Sequence, residues 1–416
     1  MSKTKDRRSL SSLCCLAFGF LCVLTISFYL RIDDEGRSLK PHWMIKLLSS
    51  VNILTNRTIP KNLLPLPRNK SKAVVLVYTK FSNVQKWINE RGSCYDMNHP
   101  KPKECPLLDK FELTYDKERF TESDFVVFEA REMPALEHMK MLLSERPKSQ
   151  RWVFALWESP NHFSNTKPLH GLFNLTWTYR SDSDIWSPYG SYIRLSTEVP
   201  MSGNKKGTTS DFTRGKSKLV AWMVSNCGAK LRRKFVRELK KFIKVDVFGK
   251  CSGRIFGEKR SCPKTKQSNF NFPYCLKRYK FYLSFENALC EDYITEKYWA
   301  NLGDANVIPI VMGGADYTKL AIPGSYINVM DFKTMKQLAE YLQYLDKNDT
   351  AYNEYFKWRN KYKVISGIGR SLCNICQWFV SNVSHGTKVY NDLTEYWVKR
   401  GKCATKNHLV AKMIPN

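Results

Sequence analysis

Short, uninterrupted apolar runs recur along the chain, each followed by a polar turn. Residues 73–78 (AVVLVY), 125–128 (FVVF) and 152–157 (WVFALW) have the length and the β-branched or aromatic content of buried strands. Between the last two, ALEHMKMLLSERP carries apolar residues at helical spacing and stops at Pro147. Strand, helix, strand predicts parallel α/β layering. The polar segment 201–217 interrupts the pattern, and a second series follows it. Strands are expected at 219–225 (LVAWMVS), 245–249 (VDVFG), 280–285 (KFYLSF) and 307–314 (VIPIVMGG), with helices over 230–243, after Ile294 and over 338–345. The pattern predicts two α/β domains joined by a linker.

One apolar run is unlike the others. Residues 10–30 hold no charge, and a helix of that length, at about 1.5 Å per residue, covers a bilayer core of about 30 Å. Lys3, Lys5, Arg7 and Arg8 precede it and Asp33, Asp34 and Glu35 follow, so the N-terminus is expected in the cytoplasm and the body in the lumen. Residues 31–70, with Pro41, Pro60, Pro65 and Pro67, read as a stem. Glycosylation sequons at Asn56, Asn69, Asn174, Asn348 and Asn382 all lie beyond the anchor. So do ten of the 13 cysteines, an even set that suits disulfides in an oxidising compartment. Cys373 and Cys376 have zinc-like spacing, but no second pair follows at finger spacing. With 67 basic and 38 acidic residues the formal charge is +29, which suits an anionic partner. An anchor and sequons exclude nucleic acid as that partner.

Against this basic background, FENALCEDYITEK (285–297) concentrates four carboxylates and ends on Lys297. It follows a strand and feeds a helix, the place where open α/β sheets bind ligands. A helix N-terminus with a lysine in its first turn favours a phosphate, while Glu296 suits sugar hydroxyls. The simpler alternative is a cap, with Asp292 or Thr295 closing the helix.

Phe285-Glu286-Asn287 with Asp292-Tyr293-Ile294-Thr295-Glu296-Lys297 resembles the defining motif of the α1,3-fucosyltransferases. The resemblance extends to WESP (157–160), TYRSDSDIWSPYG (178–190), VSNC (224–227), PGSYINVMDF (323–332), YFKWR (355–359) and the Cys373/Cys376 pair, about residues 73–380 in all. It implies a GT-B fold, two Rossmann-like domains facing across a cleft, that transfers L-fucose from GDP-fucose with inversion. Under it Glu158 is the general base that deprotonates the acceptor hydroxyl. Independently of the resemblance, Glu158 ends an apolar strand among aromatic side chains, where partial burial suits a proton acceptor.

The resemblance further implies donor binding by Tyr189, Ser225, Asn226, Tyr282, Asn287, Tyr293, Glu296 and Lys297. It also calls for an arginine on the helix after VSNC; counting back from Glu238-Leu239 this is Arg232, with Arg233 as the runner-up. It implies no tightly bound cofactor, and no metal is required although Asp182-Ser183-Asp184 has a metal-binding look; a divalent ion would at most stimulate. It suggests disulfides from Cys373 and Cys376 to Cys94 and Cys105, and from Cys227 to Cys275. Cys251 would then pair locally with Cys262, leaving Cys290 and Cys403. The expected organisation is a cytoplasmic tail (1–9), anchor (10–30), stem (31–70), acceptor domain (71–205), donor domain (206–380) and C-terminal tail (381–416). The expected partners are GDP-fucose, a glycoprotein N-glycan and the Golgi membrane. Core N-acetylglucosamine is slightly favoured as acceptor over an antennal N-acetyllactosamine unit, and a non-catalytic lumenal glycan-binding protein is the alternative of another class.

Overall fold

A computed structural model describes residues 72–80, 111–195, 211–257, 275–302, 305–366, 388–403, 408 and 410–414, with isolated strand pieces at 93–95 and 102–104. The predicted anchor and stem, Cys105, Cys262, Cys373 and Cys376 lie outside these residues. Among the described residues no helix is long and apolar enough to cross a membrane.

The first apolar series forms a six-stranded, all-parallel sheet. Its strands are β1 (Ala73–Val77), β2 (Phe111–Thr114), β3 (Phe125–Glu129), β4 (Arg151–Leu156), β5 (Leu175–Thr178) and β6 (Ile185–Trp186), in the spatial order β2-β1-β3-β4-β5-β6. Helix α1 (Leu136–Glu145) supplies the β3–β4 crossover and buries Met139 and Leu142. Strands β1, β3 and β5 are buried throughout, as parallel strands covered on both faces must be. An antiparallel ribbon begins with β7 (Gly190–Arg194), discussed below.

The second series forms a five-stranded parallel sheet from β8 (Lys218–Met223), β9 (Val245–Phe248), β10 (Tyr279–Phe285), β11 (Ile308–Met312) and β12 (Ile327–Asn328), in the order β9-β8-β10-β11-β12. Helix α2 (Lys230–Leu239) covers it with Phe235, Val236 and Leu239, keeping its lysines outward. Helices α3 (Lys250–Phe256), α4 (Glu296–Trp299), α5 (Tyr317–Leu320) and α6 (Met335–Lys347) follow. The helix expected after Ile294 is only one turn long. Strand β13 (Tyr362–Ser366) returns to pair with β7, Tyr362 opposite Arg194 and Ser366 opposite Gly190. Beside that ribbon Trp299 of α4 packs so closely on Gly190 that any β-carbon there would collide with it.

The C-terminal segment belongs to the first sheet. Leu393, Tyr396 and Trp397 are buried in the same apolar cluster as β3, β4 and β5, and Tyr390 N donates to Phe173 O at 2.8 Å. Val410 and Met413 then pack into the core of the second sheet.

Two of the expected disulfides need correction. Cys227 pairs with Cys251, not with Cys275. The reason is topological: β8 and β9 are parallel neighbours, so the turns after them lie side by side. Cys275 precedes β10, at the opposite end of the parallel strands, and is in a disulfide of its own; Cys251, bonded to Cys227, is not available to Cys262. The two leftover cysteines, Cys290 and Cys403, bond to each other across 113 positions. Of the sequons, Asn174 is buried and its amide donates to Lys388 O at 2.9 Å, while Asn348 caps the helix that follows it.

Because Trp397 fills the first core from the far end of the chain, Trp397→Ala is expected to destabilise the fold by about 3–5 kcal/mol. A fall in the urea midpoint checks this, and an unchanged midpoint would show that the first sheet does not need the tail.

Candidate active site

The C-terminal ends of both sheets converge on one region. On the first sheet, β4 runs into Trp157, whose indole N–H donates to Ser187 O at 2.9 Å and whose ring meets Trp177 edge-on. That anchoring fixes the next residue, Glu158, with its side chain 30% exposed. The Tyr293 hydroxyl donates to Glu158 Oε2 at 3.3 Å, and His162 Nδ1 lies 3.7 Å from the same oxygen. Ser159, wholly buried, holds the imidazole in place through its hydroxyl at 2.9 Å. Tyr189 donates to Trp157 O at 2.7 Å and packs edge-on against Tyr293. Burial raises both phenols above the usual tyrosine range, so each keeps its proton and acts as a donor.

On the second sheet, β10 ends at Phe285, and Glu286 continues the ladder by donating its N–H to Met312 O at 2.9 Å. Its side chain is 0% exposed. The carboxylate accepts from Thr295 N at 2.8 Å, from the Thr295 hydroxyl at 2.8 Å and from Lys297 Nζ at 3.2 Å. Lys297 Nζ also reaches Thr295 Oγ1 at 2.7 Å and Glu296 Oε1 at 3.1 Å. Burial alone would lower the Lys297 ammonium, but the Glu286 and Glu296 carboxylates outweigh it and hold the group above the usual lysine range. Its side chain remains 20% exposed, so one face stays open to a ligand.

The four carboxylates of the motif thus divide. Glu286 is internal, Glu296 is 62% exposed, and Glu291 lies 3.9 Å from Lys402. Asp292, at a φ of 58°, turns to accept from Ser181 N and Oγ at 2.9 and 2.6 Å on the loop after β5. Thr295, not Asp292, caps α4. Ala288, Cys290 and Tyr293 belong to the apolar cluster of the first sheet, so this stretch also joins the two sheets.

The remaining expected donor residues lie at three places. Ser225 and Asn226 are exposed in the turn after β8, where Asn226 Oδ1 accepts from Gly228 N at 2.9 Å. Between the two candidate arginines the structure turns Arg232 inward, 3% exposed, donating to Phe285 O at 3.0 Å and Asn226 O at 3.1 Å. It therefore clamps the end of β8 to the end of β10, and burial depresses its guanidinium below the usual arginine range. Tyr282 is buried on the other face of the sheet, beside Phe248 and Tyr279. Asn287 is half-buried, its Oδ1 enclosed without a hydrogen-bond partner among the described residues.

The metal-like Asp182-Ser183-Asp184 is committed elsewhere. Arg180 grips Asp182 with both nitrogens at 2.9 and 2.6 Å. Asp184 takes Thr176 N at 2.8 Å, Tyr390 OH at 2.8 Å and Lys388 Nζ at 2.6 Å. These contacts tie the tail to the first sheet. Glu286 and Thr295 were the residues least visible as site members in the sequence. The usable signal was that Glu286 directly extends an apolar strand, where a carboxylate is enclosed.

A partly exposed carboxylate at the strand ends of one sheet, opposite buried positive charge at the strand ends of the other, defines a two-sheet α/β fold with a charged site between its sheet ends. Comparison with known proteins makes this specific. Residues 70–190 match the N-terminal fucosyltransferase family and residues 213–397 the C-terminal region of glycosyltransferase family 10 (fucosyltransferase). The glycoprotein 3-alpha-L-fucosyltransferase A of Drosophila melanogaster is 35% identical over 73% of this chain, and the match spans 57% of that relative's length. A human 4-galactosyl-N-acetylglucosaminide 3-alpha-L-fucosyltransferase is 38% identical over 64% of this chain and 69% of its own. A solved alpha1,3-fucosyltransferase with GDP aligns at 17% identity and a TM-score of 0.46, over 83% of this chain and 98% of that one. The chain belongs to the α1,3-fucosyltransferase family, and so to the glycosyltransferases.

Tyr293→Phe removes only the hydroxyl that meets Glu158, and a hydrogen bond to a charged group is worth about 1.5–3 kcal/mol. The variant should fold normally and lose roughly tenfold in turnover, measurable as GDP release; full turnover would detach Tyr293 from the function of Glu158.

Proposed function

We propose that the protein transfers L-fucose from GDP-β-L-fucose in α1,3 linkage to N-acetylglucosamine of glycoprotein N-glycans, with inversion. The observation that carries this is the Glu158–Tyr293 contact, which brings a lone carboxylate of the first sheet up to the motif of the second. Glu158 takes the proton of the acceptor hydroxyl as its oxygen attacks the anomeric carbon, and the bond from that carbon to the diphosphate oxygen breaks on the opposite side. One displacement inverts the centre. Lys297 offsets the charge that develops on the leaving GDP, and Arg232 adds a buried positive charge behind it. Glu296, exposed beside Lys297, is placed to accept hydrogen bonds from ribose hydroxyls. On this reading a divalent metal is dispensable. A non-catalytic glycan-binding protein would need neither Glu158 nor Lys297, and both are present.

For the acceptor we favour the innermost N-acetylglucosamine of an N-glycan, with a distal N-acetyllactosamine unit as the second reading. The VSNCG turn supports the first, and the LQYLDKN and YFKWR segments the second. The uncharged run 10–30 and the lumenal sequons support a single-pass type II protein of the Golgi membrane. Mass spectrometry of the product formed on one defined N-glycan tests the acceptor: fucose on the core residue supports our choice, and fucose only on an antenna overturns it.

Glu158→Gln is expected to cut turnover by about 10²–10⁴-fold while GDP affinity stays nearly intact, and a variant with more than about half of normal turnover would remove Glu158 as the base. Lys297→Ala should weaken GDP by roughly ten- to a hundredfold, the worth of a charge-assisted contact, with little change for the acceptor. Calorimetric titration of GDP decides that, and an unchanged affinity would reduce the motif lysine to a structural ion pair.

A further inference from the structure

The central strand of the second sheet ends in a carboxylate that solvent does not reach. Glu286 is held by donors alone: Oε1 takes Thr295 N at 2.8 Å and the Thr295 hydroxyl at 3.1 Å, while Oε2 takes that hydroxyl at 2.8 Å and Lys297 Nζ at 3.2 Å. Burial pushes this carboxyl above the usual carboxylate range, while Lys297 and the Thr295 donors pull the other way. It is the ionised form that this set of donors satisfies. The threonine hydroxyl donates to Glu286 and accepts from Lys297, which makes it a relay between the two. Glu296 also touches the ammonium, but from a side chain 62% exposed, where water competes for the contact.

We propose that Glu286 is a positioning residue for the donor: through Thr295 it fixes the Lys297 ammonium at the open end of the site and keeps it charged, so that the diphosphate meets a preset cation. This rests on the reading of Lys297 as a diphosphate contact. A lysine carries several rotatable bonds, and an unbound one would spend binding free energy on ordering itself. The cost is borne by the fold instead, since a buried carboxylate left without Lys297 would be strongly destabilising.

The other charged or titratable groups around the pair are Glu296, Arg232 from α2, Tyr189, Tyr282, Tyr293 and Tyr317. Arg232 is of the same sign as Lys297 and cannot replace Glu286. The tyrosines whose shifts are set by burial stay neutral donors. Without Glu286, only exposed Glu296 would oppose the burial that lowers Lys297, so the ammonium would lose its proton at a lower pH.

The test uses the full chain and the variants Glu286→Gln, Glu286→Asp, Lys297→Met and the double Glu286→Gln/Lys297→Met, assayed for kcat, both KM values and the pH profile of kcat/KM with GDP-fucose as the varied substrate. Glu286→Gln is expected to raise the donor KM by about ten- to a hundredfold, with the acceptor KM within about twofold of normal. The alkaline limb of the profile should fall by about one pH unit or more. In the Lys297→Met background the same substitution should add nothing, because the group it acts through is gone. A normal donor KM and alkaline limb in Glu286→Gln overturn the proposal, and so does an equal further loss in the Lys297→Met background. If Glu286→Gln does not fold, Glu286→Asp decides: a raised donor KM with a normal acceptor KM supports the proposal, and wild-type values overturn it. A normal donor KM in Lys297→Met, or in the double variant if Lys297→Met leaves Glu286 unpaired and does not fold, overturns the diphosphate reading and this inference together. A raised one beside an unaltered Glu286→Gln overturns this inference alone.

Discussion

A carboxylate excluded from water must be surrounded by donors or it unfolds its own neighbourhood, and Glu286 is such a group. Its requirement dictates the path of the next eleven residues. The chain has to leave β10, travel outward and come back so that Thr295 and Lys297 reach the buried oxygens. The excursion is used as well. Its far side carries Cys290, Asp292 and Tyr293 into the first sheet, where they meet Cys403, Ser181 and Glu158. One buried carboxylate therefore closes a loop that carries the partly exposed Lys297 on one flank and the Tyr293 hydroxyl that meets Glu158 on the other.

The strands that the sequence announced most clearly were those buried on both faces, such as β3 and β4, because parallel strands of this kind are continuous apolar runs. Strand β5 was hidden by Thr176 and Thr178, which look like loop residues. Both are fully buried, and their hydroxyls are paired with Asp184 and Ser183. The β7–β13 ribbon was not legible, since its partners are 168 positions apart where Tyr362 faces Arg194 and no local pattern announces such a pairing. Helix α4 stops after one turn, where Trp299 turns onto Gly190.

For the site, the motif was legible as a motif, whereas the division of labour within it was not. A run of carboxylates reads as solvated surface or as a sugar-binding edge. Nothing local says that Glu286 points inward while Glu296 points out, because that depends on which residue first leaves the pleat of β10. The choice between Arg232 and Arg233 has the same character: both lie on one turn of α2, and only the packing against Trp222 and the end of β10 selects the first. The Cys227 partner followed strand adjacency, a property of the sheet order and not of sequence distance.

The placement of Leu393, Tyr396, Trp397 and Cys403 in the first sheet's core has a consequence for biosynthesis. A ribosome delivers the strands β1 to β6 long before it delivers Trp397, so the first sheet emerges with an uncovered apolar face. Folding in order of emergence, the usual route for chains of several domains, would leave that face without its Trp397 cover until the tail arrives. The earlier half must be kept from aggregating until the chain is nearly complete, and Cys290 has to stay unpaired or exchangeable until Cys403 arrives. Completion of the first core therefore waits on the last part of the chain to be made, the part that carries both its tryptophan cover and the partner of Cys290.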